Sequence, residues 1–138
     1  MGCGAVKLLD THALLWLITG DAALGENALA VCDEAQLAGD LGVCAISWWE
    51  IGMLRQKGRI HLTQTPTALR HRLMGAGLLE IALDGETGIA AAEIESFHGD
   101  PADRIITVTA QMQGACLVTA DQKILDWEGS LNRLDARQ

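Results

Sequence analysis

The sequence lacks several features that would assign a chain to a particular class. It contains no Tyr, one Phe and two Pro among 138 residues, so its core must be aliphatic. No apolar run approaches the roughly 18 residues that span a bilayer. The amino terminus shows no basic segment followed by an apolar one, so no signal peptide is predicted. We therefore expect a cytoplasmic protein that has no membrane partner.

Cysteine motifs and positive charge are also scarce. The four cysteines show no CxxC spacing, so we predict no zinc site and expect buried, reduced thiols. Ten Lys and Arg stand against 18 Asp and Glu, a net charge of −8, which argues against a general nucleic-acid-binding surface. Five of the ten basic residues nevertheless fall in segment 55–72. This basic segment is either a solvated helix face or the positive rim of an acidic nuclease site.

Short apolar segments alternate with segments of helical spacing. Strands are predicted at 5–9, 42–46, 78–83 and 115–118, with a weaker one at 131–134. Helices are predicted at 11–18, 26–37, 47–58, 66–74, 85–96 and 101–113. This order predicts an α/β fold, a three-layer sandwich around a central, mostly parallel sheet of four or five strands. No linker interrupts the pattern, so we expect one domain over residues 1–138.

Four acidic residues lie near the carboxyl ends of the predicted strands, where open parallel sheets bind ligands. Asp10 ends the first strand and Asp121 follows the strand at 115–118. Glu50 lies one turn into the helix after the second strand, and Asp103 lies in the first turn of the helix that starts at 101. Converging carboxylates repel one another unless a hard cation such as Mg²⁺ or Mn²⁺ binds them. The sequence therefore predicts a metal site there.

Two of these acids also have a local structural interpretation. Glu50 stands three residues after Ser47, and Asp103 stands three residues after Asp100. Both spacings fit a capping box, in which the acidic side chain bonds back to the backbone at the helix start. A capping box is common, so either acid taken alone would be structural.

Polar residues next to the acids are interpreted as local. His12 and His98 have no partner at metal-ligand spacing, so we read both as ordinary polar residues. Arg104 follows Asp103 directly, and we expect it to form an ion pair with that acid. Neither interpretation adds a ligand to the predicted site.

Other α/β classes need motifs that are missing here. A receiver domain needs a pair of acids after its first strand, and a haloacid-dehalogenase-type phosphatase needs DxD there. This chain has Asp10, Thr11 and His12. A Rossmann dinucleotide site needs GxGxxG after the first strand, and none occurs.

Four segments resemble the signature segments of VapC toxins, the PIN-domain ribonucleases of type II toxin–antitoxin systems. They are LLDTHALLW (8–16), AISWWEIGML (45–54), FHGDPADRIITVTA (97–110) and LVTADQKI (117–124). The resemblance implies a Mg²⁺- or Mn²⁺-dependent ribonuclease that hydrolyses RNA phosphodiester bonds by metal-activated water. It also implies the site residues: catalytic and metal-binding Asp10, Glu50, Asp103 and Asp121, with Thr119 contacting the substrate.

The resemblance further implies partners, namely a VapB-type antitoxin and a second copy of the chain in a homodimer. The helices predicted at 11–18 and 48–54 are apolar on more faces than one small core can cover. We hypothesise that the surplus face binds another chain, and burial within the fold is the alternative. A catalytically silent PIN-fold binding module is the alternative function, but such a module would lack some of the four acids.

Overall fold

The computed structural model describes residues 6–138. Its sheet has the strand order β3-β2-β1-β4-β5, and its neighbouring strands pair in parallel. The strands are β1 (Lys7–Leu9), β2 (Leu41–Cys44), β3 (Leu79–Ile81), β4 (Cys116–Thr119) and β5 (Arg133–Asp135). The helices are α1 (Thr11–Thr19), α2 (Glu26–Ala38), α3 (Ile46–Gln56), α4 (Pro66–Gly75), α5 (Gly85–Glu93), α6 (Pro101–Gln113) and α7 (Gln122–Leu125). The predicted α/β class is confirmed.

Each face of the sheet carries its own apolar core, because successive strand residues point to opposite faces. Leu9 of β1 lies in register with Val43 and Val118, and these side chains pack against α1 and α2. Leu8 and Leu117 point to the other face and pack against α6. All five side chains are fully buried. The sheet is therefore covered on both faces, as a three-layer sandwich requires.

Side-chain caps fix where several helices begin. The N-cap side chain accepts a backbone N–H bond at five helix starts, namely Asp10, Thr65, Asp84, Asp100 and Asp121. Two of these caps, Asp10 and Asp121, are also predicted site acids. The strand-to-helix turns that start α1 and α7 therefore hold these two carboxylates in place.

The last part of the chain differs most from its predicted elements. Helix α7 is a single turn, too short to show helical periodicity in sequence. The last strand is Arg133–Asp135 rather than 131–134, paired with β4. The Arg133 guanidinium donates to backbone carbonyls from Ile124 to Leu131, and so ties α7 to β5. None of the helices in residues 6–138 is long and apolar enough to cross a membrane.

The two apolar helices each bury one face in the fold. In α1, Leu14 and Leu15 are buried. In α3, Ile51 is fully buried and Trp48 packs against the same core, whereas Trp49 is 58% exposed. Each helix buries one face, and apolar residues beside that face, such as Trp16, Leu17 and Leu54, are only partly buried. The hypothesis that the remaining apolar face binds another chain therefore stays a prediction, with Trp49 as its clearest exposed residue.

The cysteines follow the prediction only in part. Cys32 and Cys44 are free and buried, and burial raises the pKa of their thiols to about 11 and about 12. Cys116 is disulfide-bonded, so the prediction of reduced thiols is wrong for this residue. Spacing along the sequence does not report which cysteines meet in the fold. Cys3 lies outside the described residues, as does part of the first predicted strand, residue 5.

Candidate metal centre

Asp10 and Asp121 leave the sheet at the same edge, because β1 and β4 are parallel neighbours. The buried Thr119 joins them. Its Oγ1 donates to Asp10 Oδ2 at 2.5 Å and accepts from the Asp121 backbone N–H at 3.0 Å. Thr119 has no exposed surface, so it orients the two acids. The contact with substrate that the resemblance implied for it has no exposed atom to support it.

Asp103 joins the site through His98. The His98 Nε2 atom lies 2.7 Å from Asp103 Oδ2 and 3.8 Å from Asp121 Oδ2. One potential ligand atom from each of these three residues lies within 4.8 Å of the other two. This spacing suits a single cation between them. Both acids were predicted to lie here, whereas His98 was interpreted as an ordinary polar residue, because it stands five residues before Asp103 in a segment without periodicity.

Glu50 does not cap its own helix. Helix α3 begins at Ile46, with Ala45 as its N-cap and no side-chain cap bond, so the predicted box between Ser47 and Glu50 does not form. The helix starts one residue earlier than predicted, which places Ser47 inside it. The Thr11 hydroxyl instead donates to Glu50 Oε1 and lies 3.0 Å from the Ser47 hydroxyl. Glu50 is thereby turned toward the start of α1.

Only one of the two bonds of the second predicted capping box, that between Asp100 and Asp103, is present. Asp100 Oδ1 accepts from the Asp103 N–H at 3.1 Å, but the Asp103 carboxylate turns to His98. The Arg104 side chain does not reach Asp103, so the predicted ion pair is wrong. Its guanidinium donates at 2.9–3.4 Å to five carbonyls, those of Ala91, Ala92, Ile94, Phe97 and His98. Arg104 therefore holds the segment that carries His98, because the N–H donors of its guanidinium are taken up by these backbone carbonyls.

Burial and neighbouring charge raise the pKa of three site acids. The pKa of Asp103 rises to about 6, chiefly because the carboxyl is buried and further because Asp100 and Asp121 are negative. Burial also raises the pKa of Asp10 and of Glu50, and hydrogen bonds from threonine hydroxyls oppose it at both. Acids that are buried near like charges are typical of sites that bind a cation.

The basic segment 55–72 does not act as one unit. Arg70 forms a two-bond ion pair with Glu80 of β3, at 2.6 and 2.8 Å. Its positive charge is therefore balanced by Glu80. Arg55, Lys57, Arg59 and Arg72 are exposed. A positive rim around the acidic site therefore stays a prediction, and it now excludes Arg70.

Residues 7–128 match the PIN domain family. This chain belongs to the PIN-domain family. It is also similar to "Ribonuclease VapC22" of Mycobacterium tuberculosis, with 31% identity over 118 residues that cover 85% of this chain and 88% of the relative. The resemblance to VapC-type PIN domains is thereby confirmed over most of the chain.

Solved structures agree on the PIN fold. A toxin–antitoxin complex from Klebsiella pneumoniae matches with a TM-score of 0.57 and 20% identity, covering 94% of this chain and 97% of the other. VapBC2 from Rickettsia felis, bound to a DNA fragment from its promoter, matches with a TM-score of 0.64 and 15% identity, covering 94% and 99%. At these identities the likeness concerns the fold alone, and it confirms the predicted architecture.

Proposed function

We propose that this protein is a VapC-type ribonuclease, the toxin of a type II toxin–antitoxin system, which hydrolyses RNA phosphodiester bonds with a divalent cation. The observation that carries the proposal is the cluster of His98, Asp103 and Asp121 within 4.8 Å, to which Thr119 links Asp10. Family membership and a relative named as a ribonuclease support the reaction class. The whole chain, 1–138, would be one such domain.

The donor set fits a divalent cation. The acids Asp10, Asp103 and Asp121, with Glu50, would hold Mg²⁺ or Mn²⁺, which take oxygen ligands. The pKa of Asp103 is raised because its carboxyl is buried and lies near other acids. A bound cation would offset the repulsion among these carboxylates. When bound, such a cation lowers the pKa of a bound water and neutralises charge on the phosphoryl group.

The chain itself fixes the carboxylates before any ligand arrives. Asp10 Oδ1 accepts from the Ala13 N–H at 2.8 Å and its Oδ2 accepts from Thr119, so this carboxylate cannot rotate freely. Glu50 accepts from Thr11 through Oε1, and its Oε2 remains to accept a proton from an attacking water. Glu50 would hold the cation through that water and orient it, because Thr11 bonds to one of its carboxylate oxygens, whereas both oxygens of Asp10 accept hydrogen bonds.

Partners follow from the same assignment. A VapC-type toxin acts on RNA and is held by a VapB-type antitoxin, and the structural neighbour from Klebsiella pneumoniae is itself a toxin–antitoxin complex. We therefore propose RNA as substrate, a VapB-type antitoxin and a second copy of this chain as protein partners, and the cytoplasm as the location. The competing function, a silent PIN-fold binding module, would need no metal and would cleave nothing.

The decisive experiment incubates the purified chain with total RNA and Mg²⁺ or Mn²⁺ and maps new 5′ ends by sequencing. We expect discrete 5′-phosphate ends that disappear with a chelator and with Asp121→Asn. This variant keeps the oxygen that caps α7 through the Lys123 N–H, so the fold is preserved. A parent protein that binds the cation yet yields no new ends would instead identify the silent module.

A further inference from the structure

His98 presents one ring nitrogen to the proposed site. Its Nε2 atom faces the carboxylates of both Asp103 and Asp121, at 2.7 and 3.8 Å, and its side chain is only 18% exposed. An imidazole placed between two carboxylates can either donate a hydrogen bond to one of them or bind a cation together with them. The ligands proposed for the cation are all carboxylate oxygens, so the role of this nitrogen within the cluster is still to be assigned.

The imidazole ring is held in this orientation by its surroundings. Phe97 stacks on it with ring centroids 4.4 Å apart and planes at 24°. Trp127 supports Phe97 edge-on at 5.5 Å and donates its indole N–H to the Glu95 carbonyl. The Arg104 guanidinium binds the carbonyls of Phe97 and His98. A ring fixed in this way loses little rotamer freedom when it binds a ligand.

We propose that His98 is a nitrogen ligand of the cation in this site and that it makes the site prefer first-row transition metals over Mg²⁺. The inference rests on the proposed function, because it takes the cation to lie between Asp103 and Asp121. A neutral imidazole offers the Nε2 lone pair in the same direction in which it now meets the carboxylates. Nitrogen ligands favour metals such as Co²⁺, whereas Mg²⁺ prefers oxygen.

A purely structural role for His98 predicts a different pattern of metal affinities. If the ring only donates a hydrogen bond to Asp103, its loss changes the basicity of that carboxylate. The affinities of all divalent cations would then change together, by a similar factor or not at all. If the ring is a ligand, its loss weakens transition metals selectively. The ratio of Co²⁺ to Mg²⁺ affinity therefore separates the two roles.

The first test is calorimetric titration of the metal-free chain with Co²⁺ and with Mg²⁺. His98→Gln is the variant of choice, because its amide N–H can replace the hydrogen bond to Asp103. We expect Co²⁺ affinity to fall about tenfold or more and Mg²⁺ affinity to change by less than about threefold. His12→Gln is the matched control, since His12 is an exposed imidazole outside the cluster of His98, Asp103 and Asp121, and it should leave the ratio of the two affinities unchanged. Equal changes for both metals in His98→Gln, or no change for either, would overturn the inference.

The second test observes the nitrogen directly, by pulsed electron paramagnetic resonance of Mn²⁺ bound to the protein. We expect a directly coordinated ¹⁴N coupling in the parent and in His12→Gln, and none in His98→Gln. Bound Mn²⁺ without this coupling in the parent, or a coupling that survives in His98→Gln, would contradict the inference alone. A chain that binds none of the tested cations would contradict the proposed function as well, so the two failures are distinguishable.

Discussion

Glu80 and Asp103 are two acids of similar side-chain exposure, 18% and 22%, whose pKa values move in opposite directions. Hydrogen bonds from Arg70 outweigh the effect of burial at Glu80 and lower its pKa. Burial is the largest effect at Asp103 and raises its pKa to about 6. At Glu80 the positive charge of the Arg70 guanidinium balances the carboxylate. At Asp103 the neighbouring charges include further acids, Asp100 and Asp121.

This difference separates an acid that stabilises the fold from one that prepares a site. The Arg70–Glu80 pair links α4 to β3 and leaves little charge for a ligand. The acids around His98 keep an unfavourable charge density that an external cation relieves. In the described residues, the arginine ion pairs involve Glu80 and Asp135 and none of the predicted site acids.

The two acids should differ most in how their replacement affects RNA cleavage. We expect Asp103→Asn to lower RNA cleavage at least about a thousandfold, roughly 4 kcal/mol of transition-state stabilisation, because it would remove one of the charges proposed to hold the cation. Glu80→Gln, the matched acid-to-amide change, should keep cleavage within about twofold, well under 1 kcal/mol. Both rates are measured on the same RNA under saturating Mg²⁺. Parent-like cleavage by Asp103→Asn would show that this acid has been assigned wrongly.

Glu50 tests whether a residue that looks like a cap acts in the site. Glu50→Gln should reduce cleavage about a hundredfold, roughly 3 kcal/mol, and leave the free energy of unfolding within about 0.5 kcal/mol. The reason is that α3 has no side-chain cap and that Gln can still accept from Thr11. Denaturant unfolding and RNA cleavage are measured on the same preparation. Lost stability with retained cleavage would show that Glu50 has a structural role, through its bond with Thr11, and no role in catalysis.

The raised pKa of Asp103 predicts a pH dependence of stability in the metal-free protein. Between its unfolded value of 3.8 and its folded value of about 6, the folded state binds more protons than the unfolded state. Its contribution therefore lowers the free energy of unfolding as pH rises through this window, by about 3 kcal/mol in total. We expect Asp103→Asn to exceed the parent in stability above pH 6 but not at pH 4. Thermal unfolding in a chelator measures the difference, and a gap that is constant with pH would contradict the prediction.

Glu80 should show the opposite pH dependence, with the smallest effect. Because its folded pKa lies below 4.5, the stabilisation from Arg70 is present above that pH and is lost as pH falls through the folded pKa. We expect Arg70→Gln to lower the melting temperature by no more than about 3 °C at pH 7, and by less in high salt. A larger fall that salt does not reduce would show that Arg70 stabilises through packing.

The sequence predicted those parts of the site that lie next to regular elements. Asp10 follows a strand directly, so its place at the carboxyl edge was predictable from the apolar run before it. Asp100 followed by Pro101 predicted the start of α6 and with it the region of Asp103. The alternation of strands and helices predicted the parallel sheet, because local side-chain periodicity is encoded by neighbouring residues.

The tertiary structure alone decided how these residues meet. His98 enters the site because Arg104 binds the carbonyls around it and Phe97 stacks on its ring, and neither contact leaves a periodic signal. Glu50 was predicted to cap α3, but it bonds to Thr11, 39 residues away. The reason is that α3 begins one residue earlier than predicted, at Ile46. Contacts between distant segments depend on packing and on loop paths, which spacing along the chain does not specify.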